Sequence, residues 1–256
     1  MSSPPVREGP HEKGYMMALA AHVKLYGSVD ETTLHLVAFP PGMTTKPHRA
    51  FSREEDDETI IPLYIDLSKP ETIAAAAEHS KDVDVVINNA AVLSKTSALD
   101  GNAIEALKSD MDVNVYGLMA MAQAYAPILK QNSGPSAFVQ INSVASFRCS
   151  GKDVATYSAT KAAAYSVTQA LAQELAPHNV RVLSVHPGPV RTEMLPERLL
   201  KLAEEPHAVA EEVVRALADG TRLHVFPDPH AKQLATIMRP FLTKVVEGGD
   251  VYNRGE

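Results

Sequence analysis

The chain has 256 residues, 45% hydrophobic and 21% charged, which suits one large α/β domain or two small ones and excludes wholesale disorder. A formal net charge of −7 disfavours binding driven by phosphate neutralisation, so no nucleic-acid partner is expected. A single cysteine, Cys149, excludes an intrachain disulfide framework and a multi-cysteine metal site, and no metal ligands are assigned. No apolar run approaches the ~18 residues a membrane span needs, and the polar start, Met1 to Pro10, does not read as a signal peptide. The expectation is a cytoplasmic protein with no membrane partner.

Met16 to Leu25 reads as a helix and Leu34 to Phe39 as a strand ended by Pro40-Pro41-Gly42. Arg53 to Glu58 is charged and reads as a solvated loop or helix face. Thr59 to Ile65 is a mostly apolar strand ending at Asp66, and Pro62 within it places it at a sheet edge. Ser68 is expected as an N-cap, with Pro70 in the first turn and Glu71 at the capping-box position of a helix running through Ala77. Val83 to Ile87 is a strand broken by Asn88-Asn89, and Ala103 to Lys130 follows a helical pattern. A strand at Phe138 to Ile141, a helix from about Tyr157 to Leu175 and a strand at Val180 to Val185 come next. The last elements are a helix, His207 to Ala218, closed by Gly220, and a short strand, Leu223 to Phe226.

That alternation argues for a doubly wound parallel sheet covered by helices on both faces. Such sheets gather ligands at the carboxyl ends of their strands. The segments just after each strand are therefore the places to look for chemistry.

Tyr157 and Lys161 are four residues apart in Tyr-Ser-Ala-Thr-Lys, so on a helix they share a face. A nearby ammonium favours phenolate, which would make the tyrosine a usable acid or base; taken alone the signal is weak, and a solvated helix face is the better explanation of the pair. Ser143 follows the Phe138 to Ile141 strand and either hydrogen-bonds a substrate oxygen or caps a turn. Asn88 and Asn89 tie a loop or make a plain turn. Asn114, inside a helical pattern, is a tolerated surface residue or marks a kink. Pro187-Gly188-Pro189-Val190-Arg191-Thr192 fixes a rigid turn after a strand or is a simple exit from it.

In order and spacing, these segments resemble the short-chain dehydrogenase/reductase family over about residues 59 to 227. The matching positions are Asp66 at the end of the third strand, Asn88 to Ala91 after the fourth with alanine in place of the family's glycine, Asn114 in the fourth helix, Ser143, Tyr157 and Lys161, and Pro187 to Thr192 after the sixth strand. The resemblance implies a Rossmann-like fold and hydride transfer between NAD or NADP, with a lean to NADP, and a carbonyl or alcohol. It gives Tyr157 the proton on the substrate oxygen and Ser143 the holding of that oxygen. Lys161 would lower the tyrosine pKa and bind the nicotinamide ribose, and Asn114 would bind a relay water. Asp66 and Leu67 would contact the adenine end, Asn89 and Ala90 the middle of the cofactor, and Val190 and Thr192 the carboxamide. It also implies a homodimer or homotetramer in which the helices around Ala103 to Lys130 and Tyr157 to Leu175 pack across a two-fold axis.

The family's Thr-Gly-x-x-x-Gly-x-Gly fingerprint is absent: Gly9, Gly14, Gly27 and Gly42 do not fit its spacing. Those glycines let a backbone approach a pyrophosphate at a helix N-terminus. Residues 1–58 are thus a divergent segment, 59–240 the dehydrogenase-like domain and 241–256 a tail. Lys46, Arg49 and Arg53 either meet a 2′-phosphate or form a solvated basic cluster. Two functions stay open: a reductase with a divergent phosphate loop, or a degenerate member acting through protein contacts. Glu193 to Pro206 would cover the substrate, with an apolar side formed by Met194, Leu195, Leu199 and Leu200.

Overall fold

The computed structural model describes residues 63–248 apart from 193, 196, 221 and 222. The expected helix at Met16 to Leu25, the strand at Leu34 to Phe39 and the basic residues Lys46, Arg49 and Arg53 lie outside them. Four strands among the described residues form one parallel sheet: β1 Val85–Asn88, β2 Ser136–Ile141, β3 Val180–Val185 and β4 His224–Val225, in that spatial order. Each strand is a short run rich in β-branched residues. A parallel neighbour needs a helical crossover, and helices supply every one. The helices are α1 Pro70–His79, α2 Ala103–Met111, α3 Gly117–Gln131, α4 Ala155–Leu175, α5 Pro206–Asp219 and α6 Pro229–Phe241; α2 with α3, α4 and α5 make the three crossovers, while α1 precedes β1 and α6 follows β4.

Side chains alternate across the strands, so the sheet feeds two cores. Val86, Phe138 and Val182 point into one core, with Leu118, Met121 and Leu129 of α3 and Ala164 of α4. Val139, Leu183, Val185 and Val225 point into the other, against Val209, Val213 and Ala216 of α5. The register pairs Asn88 with Gln140 and Ile141 with Val185, so β1, β2 and β3 end along one edge. Asn89, Ser143 and Pro187 therefore leave the sheet side by side.

Several local expectations are corrected. Lys69, not Ser68, is the N-cap of α1, and no side chain caps that helix. Ser68 is instead drawn to Asp66, its hydroxyl and amide donating to Asp66 Oδ1 at 2.6 and 3.0 Å. Leu63 to Ile65 are not in a strand, and the rest of the Thr59 to Ile65 reading lies outside the described residues. The Ala103 to Lys130 helix is divided by a π-turn, Asp112–Tyr116, in which the Gly117 amide donates to the Asp112 carbonyl. Sequence pattern alone did not anticipate α6. Asp228 caps it, accepting from the Ala231 amide at 2.8 Å, with Pro229 at the first helical position. The helix runs past residue 240 into a second π-turn, Leu242–Val246, whose Leu242 is buried. The chain expected as a tail thus begins folded onto the domain.

Candidate active site

β2 ends at Ile141, and Ser143 then adopts extended backbone (φ −169°, ψ 160°) as the cap of a one-turn helix, Val144–Ser146. Its Oγ accepts from the Ala145 amide at 3.1 Å and lies 3.5 Å from the Pro187 carbonyl. A second short turn, Lys152–Val154, leads into α4. Tyr157 and Lys161 follow in the first two turns of α4, on one face as the four-residue spacing requires.

Lys161 is 2% exposed, an unusual position for an ammonium group. Its Nζ donates to the Ile141 carbonyl at 2.9 Å and lies 5.7 Å from the centre of the Tyr157 ring. Burial depresses its pKa to about 8. Burial also pushes the Tyr157 phenol up to about 12; its hydrogen bond with Ser143 works the other way, and the negative charge of Asp110 adds to the rise. The expected lowering of Tyr157 by Lys161 is not what this structure shows: burial of the phenol sets the direction of its shift.

Ser143, Tyr157 and Lys161 line one cavity with Asn89, Val190 and Thr192, a space of about 150 Å³. Six of the expected site residues thus converge. Ala90 is buried between two residues that line the cavity, Asn89 and Ala91, without lining it itself. Asp66 and Leu67 also stand apart from it. Leu67 packs in the core beneath the start of α3, where a Cβ on Gly117 would sit 2.9 Å from the Leu67 carbonyl oxygen. Burial works to raise the Asp66 carboxyl, but the Ser68 hydroxyl and amide and the Lys69 ammonium together hold it below its usual value.

Asn114 is buried at the π-turn and does not line the cavity. Its amide reaches both backbone groups of Val92: Oδ1 accepts from the Val92 N–H and Nδ2 donates to the Val92 carbonyl, each at 2.9 Å. A further bond, also 2.9 Å, goes to Thr160 Oγ1 in α4. Of the two sequence readings, the kink is the one found, and the side chain stitches the loop after β1 to the helix that carries Tyr157.

Several residues of the site escaped the sequence reading. Asp228 is buried, and its Oδ2 accepts from the Gly188 amide at 2.6 Å, fixing the Pro187–Pro189 turn. A Cβ on Gly188 would meet Asp228 Oδ1 at 2.6 Å, so glycine is required by that close approach. The sequence signal was an aspartate directly before a proline, a helix-start pair. His186 sits behind the site, its Nδ1 3.3 Å from the Ser143 carbonyl, and burial drops its pKa to about 3, leaving it neutral. Arg198 lines the cavity mouth and pairs with Asp153 at 2.7 Å. Met194, Leu195 and Leu199 line the cavity as expected, whereas Leu200 points outward.

A family model described as short chain dehydrogenase matches residues 43–202. The chain belongs to the short-chain dehydrogenase family. That match begins inside the segment the sequence left unassigned. It makes this dehydrogenase an oxidoreductase of the NAD(P)-dependent class and does not favour the degenerate alternative. Among curated relatives, an uncharacterized oxidoreductase of Staphylococcus saprophyticus is 30% identical over 168 residues, 63% of this chain and 70% of the relative. Another, from Staphylococcus aureus, is 36% identical over 160 residues, 60% of this chain and 67% of the relative. Among solved structures, a Burkholderia cenocepacia short-chain dehydrogenase in complex with NADP is 31% identical with a TM-score of 0.65, over 74% of this chain and 79% of that one. One from Sphingobium yanoikuyae in complex with NADPH is 25% identical with a TM-score of 0.61, over 81% and 84%.

The residues present fit the nicotinamide-ribose half of a dinucleotide. An ammonium carries three N–H donors, and Lys161 spends one on Ile141 while its side chain borders the cavity. Buried donors facing a cavity call for acceptors such as ribose hydroxyls. The Thr192 side chain and the Val190 backbone at the rim suit an amide.

Proposed function

We propose that this dehydrogenase reduces a small, mostly apolar carbonyl compound, and oxidises the matching alcohol, with Tyr157 as the proton donor and acceptor. The observation that carries this reading is the single cavity shared by Ser143, Tyr157, Lys161, Val190 and Thr192. A bound reduced nicotinamide supplies the hydride. With its phenol pushed up to about 12, Tyr157 is protonated at neutral pH and holds the proton that a carbonyl oxygen takes up. Ser143 orients that oxygen through its hydroxyl. Lys161 binds the nicotinamide ribose, and Val190 and Thr192 bind the carboxamide. Asn89 and Ala90 flank the middle of the dinucleotide, and Asp66 and Leu67 its adenine end. Asn114 supports the relay by holding Val92 and Thr160 in place.

NADP is the proposed dinucleotide, supported by the NADP-bound relative at 31% identity. The substrate class is supported by the apolar wall of the cavity, formed by Leu93, Val144, Val154, Met194, Leu195 and Leu199. Residues 59–240 are proposed as the dinucleotide-binding domain of a cytoplasmic homodimer or homotetramer. Ile104 of α2, Tyr116 of the π-turn and Met119 of α3, all exposed, support an association face there.

The test follows nicotinamide absorbance with NADPH or NADH and a series of short aldehydes, cyclic ketones and diketones. Turnover by the purified protein, faster with NADPH, is expected, and Tyr157→Phe is expected to cost at least ~10²-fold. No turnover across the series, or undiminished turnover by Tyr157→Phe, would refute the proposal.

A further inference from the structure

A fully buried imidazole stands behind Ser143 without entering the chemistry described so far. His186 follows β3 directly, precedes Pro187 and has no exposed surface. Four rings enclose it, with centroids 4.6 to 5.7 Å away: Phe147, Tyr165, Phe226 and His224. Packing holds the imidazole in place, and its hydrogen bonds decide which nitrogen carries the proton.

The neighbouring donors fix that choice one after another. Thr168 of α4 gives its hydroxyl proton to the Ala164 carbonyl at 2.7 Å, so toward Asn142 it can only accept. Asn142 therefore turns its NH2 group this way, one N–H reaching Thr168 Oγ1 at 3.2 Å and the other Ser184 Oγ at 2.9 Å. Ser184 accepts from Asn142 and has its own proton left for His186 Nε2 at 2.8 Å. Nε2 is then the bare nitrogen. The ring proton sits on Nδ1 and is donated to the Ser143 carbonyl at 3.3 Å. A single ring proton agrees with the neutral state that burial imposes on His186. Asn142 and Ser143 are adjacent in the chain, so these bonds close a ring in which every donor points the same way. The Ser143 carbonyl also accepts from the Ser146 amide at 3.0 Å, which uses both of its lone pairs. Backbone bonds brace the same joint, from the Asn142 amide to the Val185 carbonyl at 2.8 Å and from the Val144 amide to the Pro187 carbonyl at 2.9 Å.

We propose that His186 is a positioning residue for Ser143: as the neutral Nδ1–H tautomer it closes this ring and fixes the backbone from which the serine hydroxyl meets the substrate oxygen. This rests on the reading of Ser143 as the group that orients that oxygen.

The first test reads the tautomer. Nitrogen resonances of isotope-labelled histidine are recorded at neutral pH in the purified protein, and His186 is assigned by their loss in His186→Asn. A proton on Nδ1 alone is expected. A proton on Nε2, or on both nitrogens, overturns the proposal. The second test asks whether His186 acts through Ser143. His186→Leu is expected to lower kcat about threefold to tenfold in the parent and to have no further effect in Ser143→Ala, because coupled residues do not add. His186→Asn keeps an N–H at the δ position and is expected to recover most of the loss. Where the leucine variant does not fold, Ser184→Ala cuts the same ring one bond earlier and is expected to repeat the pattern. Equal losses in the parent and in Ser143→Ala are what a histidine that only supports the fold would give, and they overturn the proposal. The tautomer is read without turnover, so it stands or falls apart from the catalytic assay.

Discussion

Replacing Lys161 by methionine removes the buried ammonium while keeping an unbranched apolar chain of similar reach. In the fold its pKa is depressed from 10.5 to about 8 by burial. The unfolded chain therefore holds more protons than the native one between those values, so stability rises with pH through this window. At pH ~7 the cost of holding the charge inside is about 3 kcal/mol, and at pH ~9.5 it has fallen to roughly 1 kcal/mol. The wild-type chain should gain about 2 kcal/mol over Lys161→Met between those two conditions. Losing the lysine does not orphan its acceptor, because the Ile141 carbonyl also receives Gln140 Nε2 at 3.1 Å. Urea unfolding of both chains at the two pH values measures the difference, and groups common to both cancel. Parallel pH dependences for the two chains would refute the reasoning. The same substitution should remove turnover, separating what the ammonium costs the fold from what it gives the site.

Three further outcomes follow from contacts around the site. Asn114→Ala strips three hydrogen bonds, to the Val92 amide, the Val92 carbonyl and Thr160; chemical denaturation should show a loss of about 2–4 kcal/mol. Gly117→Ala gains helix propensity but sets a methyl 2.7 Å from Leu67 Cβ and 2.9 Å from the Leu67 carbonyl oxygen. Because that oxygen is backbone and cannot swing away, a net loss of roughly 1–3 kcal/mol is expected, read as a lower melting temperature. Asp228→Ala removes the α6 cap and the Gly188 bond together. It should cost about 2 kcal/mol of stability and raise KM for the dinucleotide more than it lowers kcat; Asp228→Asn, with one acceptor oxygen for two N–H donors, should recover only part of the loss.

What the sequence disclosed depended on how local the cause was. Strand β3 has the expected bounds because a β-branched run is closed by Asn179, in left-handed backbone at φ 58°, and by the proline-glycine turn. Helix α5 stops where Gly220 adopts φ 75°. The alternation of strands and helices set the sheet's carboxyl edge, and with it the meeting of Asn89, Ser143 and Val190. Asn114 announced a disturbance in its helix but not its form, since a shift of the hydrogen-bond ladder by one residue has no local signature. Helix α6 was hidden by prolines at both ends, although Asp228-Pro229 is a recognisable start. The task of Asp228 was not legible, because its partner Gly188 is 40 residues away. The family resemblance supplied roles for Asp66 and Leu67, and the fold places both away from the cavity lined by Tyr157.

The central claim is that a nicotinamide dinucleotide sits against Tyr157 and Lys161 although the chain lacks the family's glycine fingerprint. Titrating the purified chain into NADPH while following the emission of the reduced nicotinamide tests this most directly, and no tryptophan is present to interfere. The account predicts a saturable rise in emission that Lys161→Met and Thr192→Ala each weaken. Emission that stays flat up to millimolar protein or dinucleotide, in a chain shown to be folded, would contradict it.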